Sequence, residues 1–518
     1  MKRSNRLLVL RFLALGLLTG ALLPRLTSAQ NPAAEKAAEA VQAAVSLGSE
    51  LFQKQFISGE PVNPGGDGLG PVYNQVSCVA CHQQGGLGGA GPVDVNAAML
   101  SVEPTKFETA PDQDNFLKAL KRIHPGFVTD DGQLTSNVIL HRFGANDKYL
   151  AMREKLVGST VPFKPTDDQR REIQQTLARV PVQPAVGAKP VRLVVTQRNT
   201  TALFGAGLID KIPDAVLQGL AAIQSTHPEV SGRVPPIKLN RSGRFGWRGQ
   251  TERLHDFVLG ACANELGLEV PGTPQPLDPL RPKYRPAGLD LTPKQCLWLT
   301  AFVASLPQPK FVQPDDADKK QLVEQGYKAF HTIGCAACHV ESIGPVQGLY
   351  SDLLLHDMGP GLADPVLARP TMLQVEQLLI TSESRYKQPG RIIADDVQVR
   401  PTSSNPYYGG GVQTIDNGTT FLTDTGLTTV IASPKDKKVC ILTRYEPVKT
   451  NLAQEWRTPP LWGLHDSAPY LHDGRAETVI EAIAQHGGEA EGSLGRFLAL
   501  PTAERLAVLE FLACLRAP

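Results

Sequence analysis

Two Cys-x-x-Cys-His clusters, a similar apolar helix closing each half, and a high share of proline and glycine predict a mainly α chain. It should consist of two related domains with long loops and a small β-rich insertion in the C-terminal half. At 518 residues the chain is long enough for two to four domains. Proline (42) and glycine (47) are abundant. That much irregular chain suggests loops wrapped around something that supplies core of its own. The 52 basic and 51 acidic residues nearly cancel, which argues against a nucleic-acid binder, a class marked by basic excess.

The first thirty residues set the redox compartment. Lys2, Arg3, Arg6 and Arg11 precede an apolar run from Phe12 to Leu23, and Thr27-Ser28-Ala29 offers small residues for cleavage after Ala29. Residues 1–29 therefore read as a secretory signal peptide, with an uncleaved anchor as the alternative. No cysteine stands at the cleavage point to carry a lipid. No later stretch reaches the roughly 18 consecutive apolar residues of a membrane span, so the mature chain is expected to have none. The expected location is periplasmic, where cysteines serve as disulfides or cofactor attachments.

The eight cysteines then sort themselves. Cys78-Val79-Ala80-Cys81-His82 and Cys335-Ala336-Ala337-Cys338-His339 have the spacing of c-type haem attachment. Two thiols three residues apart can each form a thioether to one porphyrin vinyl group. The adjacent imidazole then becomes the proximal iron ligand. Zinc would need further ligands at finger-like spacing, which are not evident. A thioredoxin-like pair would have no need of the trailing histidine. The expectation is two covalently bound haems, with Cys78, Cys81, Cys335 and Cys338 as attachments and His82 and His339 as metal ligands. The fold expectation sharpens accordingly to two cytochrome c-like haem domains. Of the remaining cysteines, Cys262 with Cys296 and Cys440 with Cys514 are candidate disulfides, and free buried thiols are the alternative in both cases.

Each landmark of one half has a counterpart in the other. Gly48-Ser49-Glu50-Leu51-Phe52 matches Gly326-Tyr327-Lys328-Ala329-Phe330 ahead of the second motif, with a Gly/Pro-rich loop inserted from about Ile57 to Val76. Thr292 and Pro293 suit the start of a helix that ends in Phe302-Val303-Ala304-Ser305-Leu306. A last helix begins near Thr502. Its Leu506, Leu509, Leu512 and Cys514-Leu515 should form the face packed on the haem domain. Arg198-Asn199-Thr200-Thr201-Ala202-Leu203-Phe204-Gly205 echoes Arg457-Thr458-Pro459-Pro460-Leu461-Trp462-Gly463. The leucines are 258 residues apart (461 minus 203) and the motif cysteines 257 (335 minus 78), as expected of a duplication. The boundaries follow as 30–310 and 311–518. The stretch at about 390–450 fits neither half and holds strand-like pieces at Thr428–Ala432 and Val439–Thr443, so it reads as the β-rich insertion.

Four further segments carry a family resemblance. They are Gly68-Leu69-Gly70-Pro71-Val72-Tyr73-Asn74, Arg244-Phe245-Gly246-Trp247, the run Leu353 to Leu362 with His356-Asp357-Met358-Gly359, and the run from Glu455-Trp456-Arg457 through Tyr470-Leu471-His472-Asp473-Gly474-Arg475 to His486-Gly487-Gly488-Glu489-Ala490. Together they resemble the di-haem oxidoreductase family of peroxidase-like proteins, also described as thiol oxidoreductases. That family is similar to the bacterial di-haem cytochrome c peroxidases and to the di-haem enzyme that matures methylamine dehydrogenase.

The resemblance implies one haem that reacts with peroxide and one that relays electrons from a small redox protein. In the peroxidases the second haem's distal ligand stands fourteen residues after the position of His472. That ligand is typically Met, whereas this chain has His486 there. His486 is thus the expected third metal ligand, with His356 and Met358 as rivals. The peroxidases also carry calcium, a further candidate cofactor here. His472 reads as structural, holding the turn with Asp473. Arg457 and Arg475 suit haem propionates or loop pinning. The far side of the N-terminal haem is open, or closed by His124, His141 or His227. Trp247 is a candidate electron relay, with plain packing as its alternative. The sequence names no acid–base residue, so the catalytic residues stay unknown. Two other functions compete with peroxidase: a non-catalytic electron carrier, and an oxidase acting on a protein or organic substrate.

Overall fold

The computed structural model describes residues 32–102, 110–128, 132, 135, 137–157, 179–182, 191–238, 241–364, 371–381, 398–399, 415–416, 421–423, 426–432, 439–448 and 453–518. The expected signal peptide lies outside them. Contacts divide the chain after Ala43. Before that point the described chain is helical and exposed from 35 to 43. Everything below concerns the unit Ala44–Pro518.

Two helix crossings organise this unit, and each is set by a glycine. The helix Pro32–Gln53 brings Gly48 against the helix Pro293–Ser305, where an added Cβ would sit 2.0 Å from the Trp298 carbonyl oxygen and 2.8 Å from Phe302 Cβ. The helix Ala317–Thr332 brings Gly326 against Thr502–Ala513 in the same way, 1.9 Å from the Ala507 oxygen and 3.0 Å from Phe511 Cβ. Backbones approach this closely only where no side chain intervenes. One turn later Phe52 packs on Phe302 (centroids 5.1 Å apart) and Phe330 on Phe511 (5.4 Å). The matched pairs Gly48/Phe52 and Gly326/Phe330 therefore do the same work in both halves.

The helix signals hold at their starts. Thr292 and Gln295 form a reciprocal capping box ahead of Pro293. The last helix begins at Thr502, but it buries Ala507, Val508, Phe511 and Leu512, while Leu506 is 54% exposed. Of the expected face Leu512, Cys514 and Leu515 are buried, while its start at Leu506 gives way to Ala507, Val508 and Phe511, which fills the crossing with Phe330 and Tyr350.

The fold is mixed rather than mainly α. A four-stranded antiparallel sheet in the N-terminal half runs Asn137–Ile139, Ala97–Val102, Val191–Arg198, Arg179–Val182 in spatial order. The run Val191-Arg192-Leu193-Val194-Val195-Thr196 is β-branched enough to have signalled it. In the C-terminal half a second four-stranded sheet orders Thr371–Thr381, Val439–Val448, Gly426–Ala432 and Phe421–Thr423. The strand-like pieces of the expected insertion are strands, and their first partner starts earlier, at Thr371. The stretch from Ile57 to Val76 holds only bridges and the two-residue strand Val72–Tyr73, as a loop should.

Candidate haem cavities

Each motif folds into a single turn. Ser77 Oγ accepts from Ala80 N at 3.2 Å to start the turn Cys78–Cys81, and His82 N donates to Cys78 O at 3.0 Å. In the second motif Gly334, at φ 92°, opens the 3₁₀ turn Cys335–Ala337, and His339 N donates to Cys335 O at 3.0 Å. One turn thus presents two thiols and an imidazole on one side.

Each turn borders a cavity. The first, about 350 Å³, is lined by Cys78, Cys81 and His82; the second, about 280 Å³, by Cys335, Cys338 and His339. His82 Nδ1 donates to Gly89 O at 3.0 Å, and His339 Nδ1 donates to Tyr350 O at 3.0 Å. A carbonyl accepts only from N–H, so the proton is on Nδ1 and the Nε2 lone pair is left as a metal donor. Burial pushes each imidazole down to about 4, His486 adding to the effect at His339, so both are neutral, as a ligand must be.

Across the second cavity stands His486. Its Nδ1 donates to Ala482 O at 2.9 Å, freeing Nε2 likewise, and its ring centroid is 6.5 Å from that of His339. Two imidazoles bound at about 2 Å on opposite sides of one metal have centroids roughly 6 Å apart. The pair therefore fits one iron between them. Arg457 also lines this cavity, is 5% exposed, and donates to the carbonyls of Gly246 and Thr458 at 2.9 and 3.4 Å. Among the described residues no carboxylate pairs with it, and a buried guanidinium in that state fits a propionate. Thiols, free imidazole nitrogens and a buried cation together match a haem.

The first cavity differs along one wall, and a repeat in the fold shows where. Phe245 bridges Thr251 as Tyr470 bridges Ala476, with left-handed glycines at Gly249 and Gly474. The following helices Leu254–Leu266 and Val479–Ala484 start after Arg253 and Thr478. All these pairs lie 225 residues apart (470 minus 245). In that register Ala482, Ile483, His486, Glu489 and Ala490 line the second cavity where Phe257, Val258, Ala261, Asn264 and Glu265 line the first. His486 is thus matched by Ala261, a methyl with no donor atom.

His124, His141 and His227 line neither cavity. His124 is buried against Phe127, and His141 donates from Nε2 to Asn264 O at 2.9 Å. His227 Nδ1 accepts from the backbone of Glu229 and Val230. The structure therefore brings none of these histidines to either cavity. His356 is also removed as a rival, because both its ring nitrogens face carboxylates. Met358 lines the second cavity, yet the His339–His486 spacing leaves no gap for it between them. Arg475 lines neither cavity and pairs with Asp473 at 2.6 Å, which pins the loop. His472 stacks on Trp456 at 3.7 Å and lies nearer Asp364 (3.5 Å) than Asp473 (3.9 Å). Cys262 and Cys296 are free buried thiols, as is Cys514; the Cys440 side chain lies outside the described residues.

One feature of the cavities, Trp247, was singled out by the sequence, and two others, Glu265 and a group of arginines, were not. Trp247 lines both cavities, its Nε1 donating to Asn199 O at 2.9 Å, so the indole is in the wall between them. Glu265 lines the first cavity; Asn74 Nδ2 donates to its Oε2 at 2.6 Å, and burial raises its carboxyl pKa. Arg198, Arg233 and Arg248 also line the first cavity. Arg198 pairs with Asp364, Arg233 with Glu455, and Arg248 donates to Glu455 O at 2.9 Å.

A model of the family described as "Di-haem oxidoreductase, putative peroxidase" matches residues 25–109 and 448–515. These segments hold the first motif, Arg457, His472 and His486. The chain resembles the di-haem oxidoreductases over these two segments, a resemblance that supports an oxidoreductase and implies haem cofactors. A solved structure of hydrazine synthase from Kuenenia stuttgartiensis, pressurised with 20 bar xenon, is similar over 62% of this chain and 73% of its own, at 18% identity and a TM-score of 0.27. No curated protein sequence matches the chain.

Proposed function

We propose that the protein is an exported di-haem c-type cytochrome acting as a peroxidase-like oxidoreductase of the periplasm. Two cytochrome c-like halves, at 30–310 and 311–518, each hold one haem covalently. Cys78 and Cys81 attach the first, with His82 as its ligand; Cys335 and Cys338 attach the second, held between His339 and His486. Haem, when bound, supplies the redox chemistry of O–O cleavage.

One observation carries the reading: Ala261 lines the first cavity where His486 lines the second. A small methyl leaves that wall free for a small oxidant, which a pure electron carrier has no need of. Glu265 Oε2 is held by Asn74, so Oε1 is the atom that takes a proton from peroxide and returns it to the departing oxygen. Peroxide, two electrons and two protons give two waters. A small redox protein supplies the electrons, and Trp247 is placed to pass them between the cavities. The His339–His486 pair equally suits an oxidase acting on an organic or protein substrate, so the choice of reductant separates these two enzymes.

The test is Ala261→His, which should give the first cavity the donor that the second already has. Cyanide should bind one haem of the parent and neither haem of the variant, as read in the ferric optical spectrum. A parent that binds no cyanide, in the resting or the half-reduced state, would overturn the enzyme reading.

A further inference from the structure

His356 is held between two acids. Nε2 lies 2.9 Å from Asp352 Oδ2 and Nδ1 lies 2.8 Å from Glu489 Oε2, with the imidazole 2% exposed. Each carboxylate accepts, so both ring nitrogens carry protons and the ring is an imidazolium. Nδ1 is also 3.7 Å from Cys338 Sγ.

Each acid is anchored in turn. Asp352 Oδ2 accepts from Gln224 Nε2 at 2.7 Å, and Gln224 also donates to Ala337 O, inside the second motif, at 2.8 Å. Glu489 accepts from Ser231 N at 2.8 Å and from Asp357 N at 3.2 Å. Glu489 belongs to the 3₁₀ turn Gly488–Ala490, two residues beyond His486 along the chain. The network therefore joins the loop bearing Cys338 and His339 to the segment bearing His486. In the first cavity the register puts neutral Asn264 where Glu489 stands, so that position offers no carboxylate for a matching clamp.

We infer that His356 is a positioning residue: the Asp352–His356–Glu489 clamp fixes the His486 segment opposite His339. This rests on the reading that His339 and His486 hold one haem. His356 and Asp352 are buried and Glu489 is half-buried, so cutting either bond to His356 leaves an unpaired buried charge, the kind of loss that moves a segment.

The test uses the full-length holoprotein and reads the ferric low-spin signal by electron paramagnetic resonance. His356→Ala should keep both haems covalently attached and lose most of that signal, with cyanide then binding at the second haem. Glu489→Ala, which keeps the histidine, should do the same, so the inference stands on two variants if one fails to fold. His356→Ala and Glu489→Ala with an unchanged low-spin signal, beside a His486→Ala that loses it, would overturn the clamp and leave the ligand intact. A His486→Ala that keeps the signal would overturn the ligand assignment instead.

Discussion

In the proposed reaction Glu265 carries the proton in the first cavity, and its environment fixes how it should titrate. Burial is the larger influence and raises its carboxyl pKa, while the hydrogen bond from Asn74 opposes the shift. To take a proton from peroxide it must begin as a carboxylate, so activity should fall as pH drops through that raised pKa. The acid limb should therefore lie above the ordinary range of about 4.3. Glu265→Gln should lower kcat by about 10²- to 10⁴-fold and abolish that limb. A variant with the parent's rate and pH profile would remove Glu265 from the mechanism. None of this was legible in the sequence. Glu265 ends an apolar helix and looks like any solvent-facing acid until the fold puts it beside Cys81. The cysteines and proximal histidines were legible because attachment chemistry forces them into adjacent positions.

At the scale of elements, the glycine crossings were half legible. Gly48/Phe52 and Gly326/Phe330 were readable as counterparts, but their partners Trp298/Phe302 and Ala507/Phe511 are remote in sequence. Gly326→Ala should destabilise the protein by about 1–3 kcal/mol, since its Cβ would meet the Ala507 carbonyl at 1.9 Å. Gly495→Ala is the control. It sits in the helix Glu491–Ala499 with nothing within 4 Å of the added Cβ, so it should stabilise by about 1 kcal/mol. Thermal melts of the holoproteins decide this, and equal shifts in one direction would contradict the crossing argument. The register that matches Ala261 to His486 was hidden by spacing. Forty-two residues separate Leu203 from Phe245 but only nine separate Leu461 from Tyr470, so the offset drops from 258 to 225 between landmarks. The helix Asp214–Gln224 occupies part of that difference, and it supplies Gln224 to the clamp. The N-terminal sheet was missed for another reason: its strands Ala97–Val102 and Val191–Arg198 are paired across nearly a hundred residues, which local pattern does not reveal.

Across the molecule the two cavities are alike in construction and unlike in one wall. Each has a neutral imidazole with its lone pair freed by a carbonyl, and each is closed by a helix after a glycine turn. The second adds a facing imidazole, a charged clamp and a buried arginine; the first adds a carboxyl and a bare methyl. Trp247 belongs to both. Among the described residues no helix is long and apolar enough to cross a membrane. A frame with a facing imidazole in one cavity and a methyl in the other suits the proposed pairing of a relaying and a reactive haem. The measurement that tests this most directly is an electron paramagnetic resonance spectrum of the oxidised holoprotein, before and after adding cyanide. The account predicts a high-spin signal beside a low-spin one, with only the high-spin signal converted by the ligand. Two low-spin signals that cyanide leaves unchanged, in both the resting and the half-reduced protein, would contradict it.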